Sequence, residues 1–194
     1  MRHADITRET AETKIQLTLS LDGGPASIRT GLGYFDHMLL QLARHGGFGL
    51  ELDATGDLHV DSHHLVEDVG LCLGDALREA LGDRRGIARW GEAHVPMDET
   101  LARVVVDLSG RPYCVFQAEL PKLIFGDGFQ VEMVREFFIA LSMRGQFNLH
   151  AAILYGENTH HQVEALFKGL ARALRQAVRI EGGTVPSTKG TLTQ

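Results

Sequence analysis

The chain has 194 residues, of which 44% are hydrophobic and 23% charged, with a formal net charge of −6. That composition fits a globular protein of one domain or of two small halves sharing a core. The acidic balance argues against a broad nucleic-acid or anionic-membrane footprint, while leaving room for a small basic pocket that binds a phosphate. The polar start, MRHADITRETAETK, predicts no signal peptide, and no apolar run is long enough to span a bilayer. Cys72 and Cys114 sit in apolar contexts with no C-x-x-C spacing. They read as buried free thiols, which places the chain in reducing cytosol.

Lys14–Leu21, KIQLTLSL, alternates polar and apolar residues and predicts a half-buried strand ending at the turn DGG. ASIRTG is expected to pair with it. Tyr34–Arg44 has helical spacing and is stopped by HGG. FGLELDATGDLHV predicts one or two short strands. Ser62–Leu81 is a second helix, with Leu65, Val69, Leu73, Ala76, Leu77 and Ala80 on its apolar stripe and Asp61 or Ser62 as N-cap. Three strand-like runs follow, ARWGEAHVPM, TLARVVVDLSG and PYCVFQAEL. A helix over Glu132–Arg144, a strand in FNLHAAILYG and a helix over Thr159–Val178 come next. The tail, EGGTVPSTKGTLTQ, is rich in turn residues.

The two halves repeat. Residues 61–81 laid over 158–178 are identical at nine of twenty-one positions, including His63/His160, His64/His161, Val66/Val163 and Glu67/Glu164. Upstream, LARHGGFGL (42–50) resembles LSMRGQFNL (141–149) at an offset of 99. Helix, strand and helix recur in the same order, which indicates a duplicated unit.

The core of that unit is His-His-x-x-Glu. Residues four apart share a helix face, so His63 can join Glu67 on one metal ion. The neighbouring His64 points about 100° away, because a helix has about 3.6 residues per turn. Each histidine pair is therefore expected to serve two different metals. His160, His161 and Glu164 supply the same set again. Neither half-site is complete, so the other half or another subunit must finish it. Imidazole and carboxylate ligands without thiolate suit Mn²⁺, Fe²⁺ or Zn²⁺. The His-Glu-x-x-His order of zinc proteases is absent. His37 in FDHML and His150 in NLHAA are further candidates, whereas His3, His45, His59 and His94 have no partner pattern.

Anion-binding candidates are Arg89 in RWG, Arg111 in SGRP, and Ser187 and Lys189 in PSTKG. Serine, lysine and backbone amides in a Gly-containing tail can cradle a phosphate.

The stretches GYFDHMLLQLARHGGFGLELDATGDLHVDSHHLVEDVG, VPMDETLARVVVDLSGRPY, LYGENTHHQVEALFK and VPSTKGTL together resemble the imidazoleglycerol-phosphate dehydratases of histidine biosynthesis. The resemblance runs from about Arg8 to Leu192, with no sign of the phosphatase domain fused to this enzyme in some bacteria. It implies an α+β fold of the ribosomal protein S5 domain 2-like type, with duplicated half-domains and helices packed between two mixed sheets. It divides the chain into repeats at about 8–95 and 96–180 and a substrate-binding tail at 181–194. Trimers assembling into a manganese-dependent 24-mer, with sites between subunits, are also implied. The family's metal ligands fall on His37, His63, His64, Glu67, His150, His160, His161 and Glu164. Its phosphate-binding positions fall on Arg89, Arg111, Ser187 and Lys189, and its substrate-contacting glutamate on Glu12. One departure is visible: where the family commonly has LH-x-R, this chain has Ala152.

The implied reaction removes water from D-erythro-imidazole glycerol phosphate to give imidazole acetol phosphate. No carbonyl stands next to the departing proton. A metal on an imidazole nitrogen favours the imidazolate, which can expel the hydroxyl. Two Mn²⁺ ions per site would hold both ring nitrogens. Glu12, Glu67 and Glu164 are the candidate acid/base groups. Two rival classes use the same residues differently. A di-metal hydrolase of a phosphorylated small molecule would need no imidazole in its substrate. A metal-stapled assembly protein would have no use for the Arg and Lys set.

Overall fold

The computed structural model describes residues 2–126 and 128–192. Thr193 and Gln194, the end of the expected tail, lie outside them.

Period-two alternation builds the first sheet. β2 (Thr13–Ser20) points Ile15, Leu17 and Leu19 inward, and β4 (Gly49–Gly56) does the same with Leu50, Leu52 and Ala54. β1 (His3–Glu9) pairs antiparallel with the outer side of β2. The apolar pattern did not reveal β1, because Ala4 is its one buried residue. It is a polar edge strand held by its backbone ladder. β3 (Ala26–Arg29) does not pair with β2 as expected; it runs parallel to β4. Both edges of β2 are already taken, by β1 and β4.

The second sheet repeats the first. β5 (Trp90–Met97), β6 (Thr100–Asp107), β7 (Tyr113–Gln117) and β8 (Asn148–Tyr155) stand in the order β5-β6-β8-β7, matching β1-β2-β4-β3. In each sheet two antiparallel pairings are closed by one parallel pairing, so both sheets are mixed.

Four helices fill the space between. α1 (Gly33–Gly46) and α2 (His63–Leu81) flank β4; α3 (Met133–Gly145) and α4 (Thr159–Ala177) flank β8. α2 covers β1 and β2, and α4 covers β5 and β6. The helices then pack across the repeat boundary, α2 on α3 and α1 on α4. A column of rings locks this layer. Phe137 stacks on Phe167 at 5.3 Å, and Phe35 meets Phe137 edge-on at 5.5 Å. Gly74 on α2 permits the close approach to α3, since a Cβ there would stand 2.7 Å from the Leu141 carbonyl oxygen.

The starts of α2 and α4 are fixed differently. Asp61 Oδ1 accepts from the His63 amide at 2.7 Å, while the Ser62 hydroxyl is turned toward Gln130. Asn158 Oδ1 accepts from the His161 amide at 3.2 Å. Both histidine pairs thus begin on a defined first turn.

Arg84 is the largest fully buried side chain. Its guanidinium donates to the carbonyls of Leu108, Gln146 and Gly145 at 2.9–3.0 Å. It ties the end of β6 to the turn after α3. Burial lowers its pKa to about 10, so it stays charged at neutral pH.

Candidate metal centre and phosphate cavity

α1 and α4 come from different repeats, and their packing brings His37 to His160 and Glu164. The three ligand atoms lie within 4.8 Å of one another. Glu164 Oε2 is 2.9 Å from His160 Nε2 and 3.3 Å from His37 Nε2. The other carboxylate oxygen, Oε1, takes the Lys168 ammonium at 2.7 Å. Burial would raise the Glu164 carboxyl, but Lys168, His160 and His37 outweigh it and leave it below the ordinary glutamate value. Tyr34 stands edge-on to the His160 ring at 5.1 Å. Two imidazoles and one carboxylate without sulfur form a donor set suited to Mn²⁺, Fe²⁺ or Zn²⁺. Both thiols are unavailable, since burial pushes Cys72 and Cys114 up to about 11.

The first repeat forms a smaller version. His63 Nε2 lies 3.3 Å from Glu67 Oε2, one helical turn on. At the offset of 99, Glu136 takes the place of His37 on α3, and its side chain meets Arg135 instead. Among the described residues, the His37 group is the only cluster of three potential ligands.

The second histidine of each pair points elsewhere, as the helical angle requires. The ring planes of His63 and His64 stand 79° apart and those of His160 and His161 85° apart, and the second histidine of each pair takes partners of its own. His64 Nδ1 lies 3.0 Å from Asp57, which raises its pKa, and Nε2 lies 3.8 Å from Glu12. His161 Nδ1 meets Glu99 at 2.8 Å. Hydrogen bonds from Asn158, His161, Glu157 and Thr100 hold the Glu99 carboxyl far below the ordinary range. His150 does not join either cluster. It is exposed on the outer face of β8, opposite Val105 and Val115.

A cavity of about 700 Å³ lies at the other end of β8, lined by Arg89, Trp90, Arg111, Ser187 and Lys189 among others. The expected phosphate residues therefore do converge, but with different commitments. Arg89 holds Asp107 at 2.7 and 3.1 Å, donates to the Pro186 carbonyl at 2.8 Å, and lies over the Trp90 ring at 4.1 Å. It fastens the tail. Arg111 and Lys189 have no side-chain partner among the described residues and are the cations free to take an anion. Glycine supports this strap as well: Gly86 donates to the Thr184 carbonyl and accepts from Glu181. A Cβ on Gly86 would stand 2.1 Å from the Gly182 oxygen.

Lys168, Asp57 and Glu99 escaped the sequence reading. Lys168 stands four residues after Glu164, a spacing that could have revealed it. Asp57 and Glu99 reach their histidines from loops, where no periodicity applies.

Residues 30–174 match the imidazoleglycerol-phosphate dehydratase family. The chain is 57% identical to the imidazoleglycerol-phosphate dehydratase of Azorhizobium caulinodans, covering 99% of both chains. It is 56% identical to that of Lacticaseibacillus casei, over 99% of this chain and all of the relative. The crystal structure of imidazoleglycerol-phosphate dehydratase from Staphylococcus aureus superposes with a TM-score of 0.83 at 40% identity, covering 92% of this chain and 99% of that one. The structure from Pyrococcus furiosus, in complex with (S)-C348, gives 0.84 at 40% identity, covering 95% and 99%. With its duplicated mixed sheets and His-His-x-x-Glu helices, the chain belongs to the imidazoleglycerol-phosphate dehydratase family.

Proposed function

We propose that this chain is a hydro-lyase of histidine biosynthesis, dehydrating D-erythro-imidazole glycerol phosphate to imidazole acetol phosphate. The observation that carries the reading is the pairing, on one chain of this family, of a convergent imidazole–carboxylate cluster with a cationic cavity. The first suits an imidazole-binding metal and the second a phosphate. A di-metal hydrolase accounts for the first and leaves the substrate's ring without a role.

His37, His160 and Glu164 would hold one divalent cation, manganese in this reading. His63, Glu67, His64, His161 and His150 would supply the remaining ligands of two such cations per site, with the two histidines of each pair on different ions. Such a cation supplies Lewis acidity to the ring nitrogens. Arg111 and Lys189 hold the phosphate, with Ser187 on the same strap, and Arg89 keeps that strap closed. Remote binding of this kind positions the reacting carbons. A carboxylate must accept the carbon-bound proton. Glu12 suits that role better than Glu67 or Glu164, because its side chain is 54% exposed and is not held by a helix neighbour. Glu164 is committed on both oxygens.

The geometry also favours a homo-oligomer. Arg89 at the phosphate cavity donates to the Ala177 carbonyl at the end of α4, while His160 stands at its start. Seventeen residues of helix separate them, about 25 Å at about 1.5 Å per residue. Only three carbons join ring to phosphate in the substrate. One chain's metal cluster and its phosphate cavity thus belong to different active sites, each completed by another copy. Trimers assembling to a 24-mer fit this sharing, and the enzyme is placed in the cytoplasm. No helix among the described residues is long and apolar enough to cross a membrane.

The test is to strip the protein of metal, restore Mn²⁺, and follow both turnover of imidazole glycerol phosphate and particle size. Manganese-dependent product together with a larger particle is the expected result. A metal-dependent particle without product would favour the assembly-protein reading, and phosphoester cleavage the hydrolase. Lys189→Ala is expected to raise KM at least tenfold while leaving bound metal unchanged. Equal loss of both would remove Lys189 from the phosphate site.

A further inference from the structure

The two repeats share a turn as well as a helix. Glu12-Thr13 leads into β2, and Glu99-Thr100 leads into β6, the equivalent strand. Thr13 and Thr100 are both buried. Each glutamate stands beside the second histidine of its own repeat, Glu12 by His64 and Glu99 by His161.

The two glutamates have diverged. Glu12 Oε1 stays 3.8 Å from His64 Nε2, and Asp57 occupies the Nδ1 side of that ring. Glu99 is fully engaged. Its Oε1 accepts from the Glu157 amide at 3.0 Å, the Asn158 amide at 2.8 Å and the Thr100 hydroxyl at 2.8 Å. That leaves Oε2 for His161 Nδ1 at 2.8 Å. A carboxylate can only accept, so Nδ1 must carry a hydrogen, and in the neutral ring Nε2 then keeps the lone pair. Asp98, 80% exposed, lies 3.6 Å from Nε2, so that nitrogen faces the open side of the hairpin.

We propose that Glu99 is a positioning residue, which fixes the His161 tautomer and turns Nε2 outward as a metal ligand for a site shared with another copy. This rests on the proposed role of His161 in metal binding. The duplication then separates two tasks: the hairpin glutamate of the first repeat is left free for proton transfer, and that of the second is committed to orientation. Asp57 does for His64 what Glu99 does for His161.

The oxygen-by-oxygen bonding dictates the test. In Glu99→Gln, the amide oxygen keeps the two backbone N–H groups and the Thr100 hydroxyl. The amide nitrogen then faces Nδ1 as a donor. His161 must switch its hydrogen to Nε2, which blocks coordination. Mn²⁺ titration of the stripped protein is expected to show affinity lowered about 10- to 100-fold, the usual effect of losing such an outer partner. The melting temperature of the metal-free protein should stay within a few degrees. In a His161→Ala background, the same change should cost no further affinity. If His161→Ala weakens Mn²⁺ binding and Glu99→Gln does not, the positioning role is overturned. If His161→Ala leaves binding unchanged, it is the ligand reading of His161 that fails. Should Glu99→Gln melt early, solid-state ¹⁵N NMR of histidine-labelled wild-type protein decides the matter. At a pH where His161 is neutral, a ring protonated on Nδ1 supports the proposal and one protonated on Nε2 overturns it.

Discussion

His160→Ala is expected to lower metal-dependent kcat/KM about a thousandfold, or about 4 kcal/mol of barrier at about 1.36 kcal/mol per decade. His160 is the centre of its cluster. Its Nε2 meets Glu164, its ring packs beside Tyr34 and Phe125, and its turn of α4 faces His37 across the repeat boundary. Alanine leaves one imidazole and one carboxylate, too few to hold a divalent ion in competition with water. The side chain is 43% exposed, so the metal-free fold should survive. Turnover measured beside bound manganese on the purified variant separates the effects. Activity and metal should fall together. Full metal retention with lost turnover would place His160 in the chemistry rather than in metal binding.

Arg84→Met should produce the largest loss of stability. It strips three carbonyls, the buried ones of Leu108 and Gly145 and the part-buried one of Gln146, of the guanidinium donor. At about 1–3 kcal/mol for each bare acceptor, the cost is about 3 kcal/mol or more. For a chain of this length that lowers Tm by about 6–12 °C. Thermal unfolding of the metal-free protein is the measurement. An unchanged Tm would show that the carbonyls find other donors once the guanidinium is gone.

Much of the fold was legible because period and repetition were legible. The four helices lie within two residues of their expected bounds, and the strands predicted from alternation are present. β1 was not readable, since an edge strand with one buried residue carries no apolar period. The partner of β3 was not readable either, because the choice between β2 and β4 depends on which edge remains open. In the site, helical spacing foretold that His63 meets Glu67 and that His64 turns away, and both hold. The third member of the α4 cluster, His37, lies 127 residues before Glu164, and no spacing argument could join them; it was a candidate beside His150, and the family resemblance placed both among the ligands. His150 illustrates the limit of a single chain. It was expected among the ligands, and within one chain it faces outward from β8, apart from both histidine clusters. Arg89 lines the cavity and also ties the tail to β6 through Asp107 and Pro186, bonds that no spacing in the sequence announces.

The crossed packing of the helices has a historical consequence. α1 of the first repeat leans on α4 of the second, and α2 leans on α3. A half-length chain with one sheet and two helices would leave an apolar face of each helix bare. Two copies of such a chain could cover each other in the same crossed manner, giving a symmetric dimer with two equal metal-binding clusters. Joining the copies end to end would free them from equality. One cluster then keeps His37 and Lys168, while its twin carries Glu136 and Leu71 in their places. Specialisation between the two is a change a symmetric ancestor could not make one position at a time.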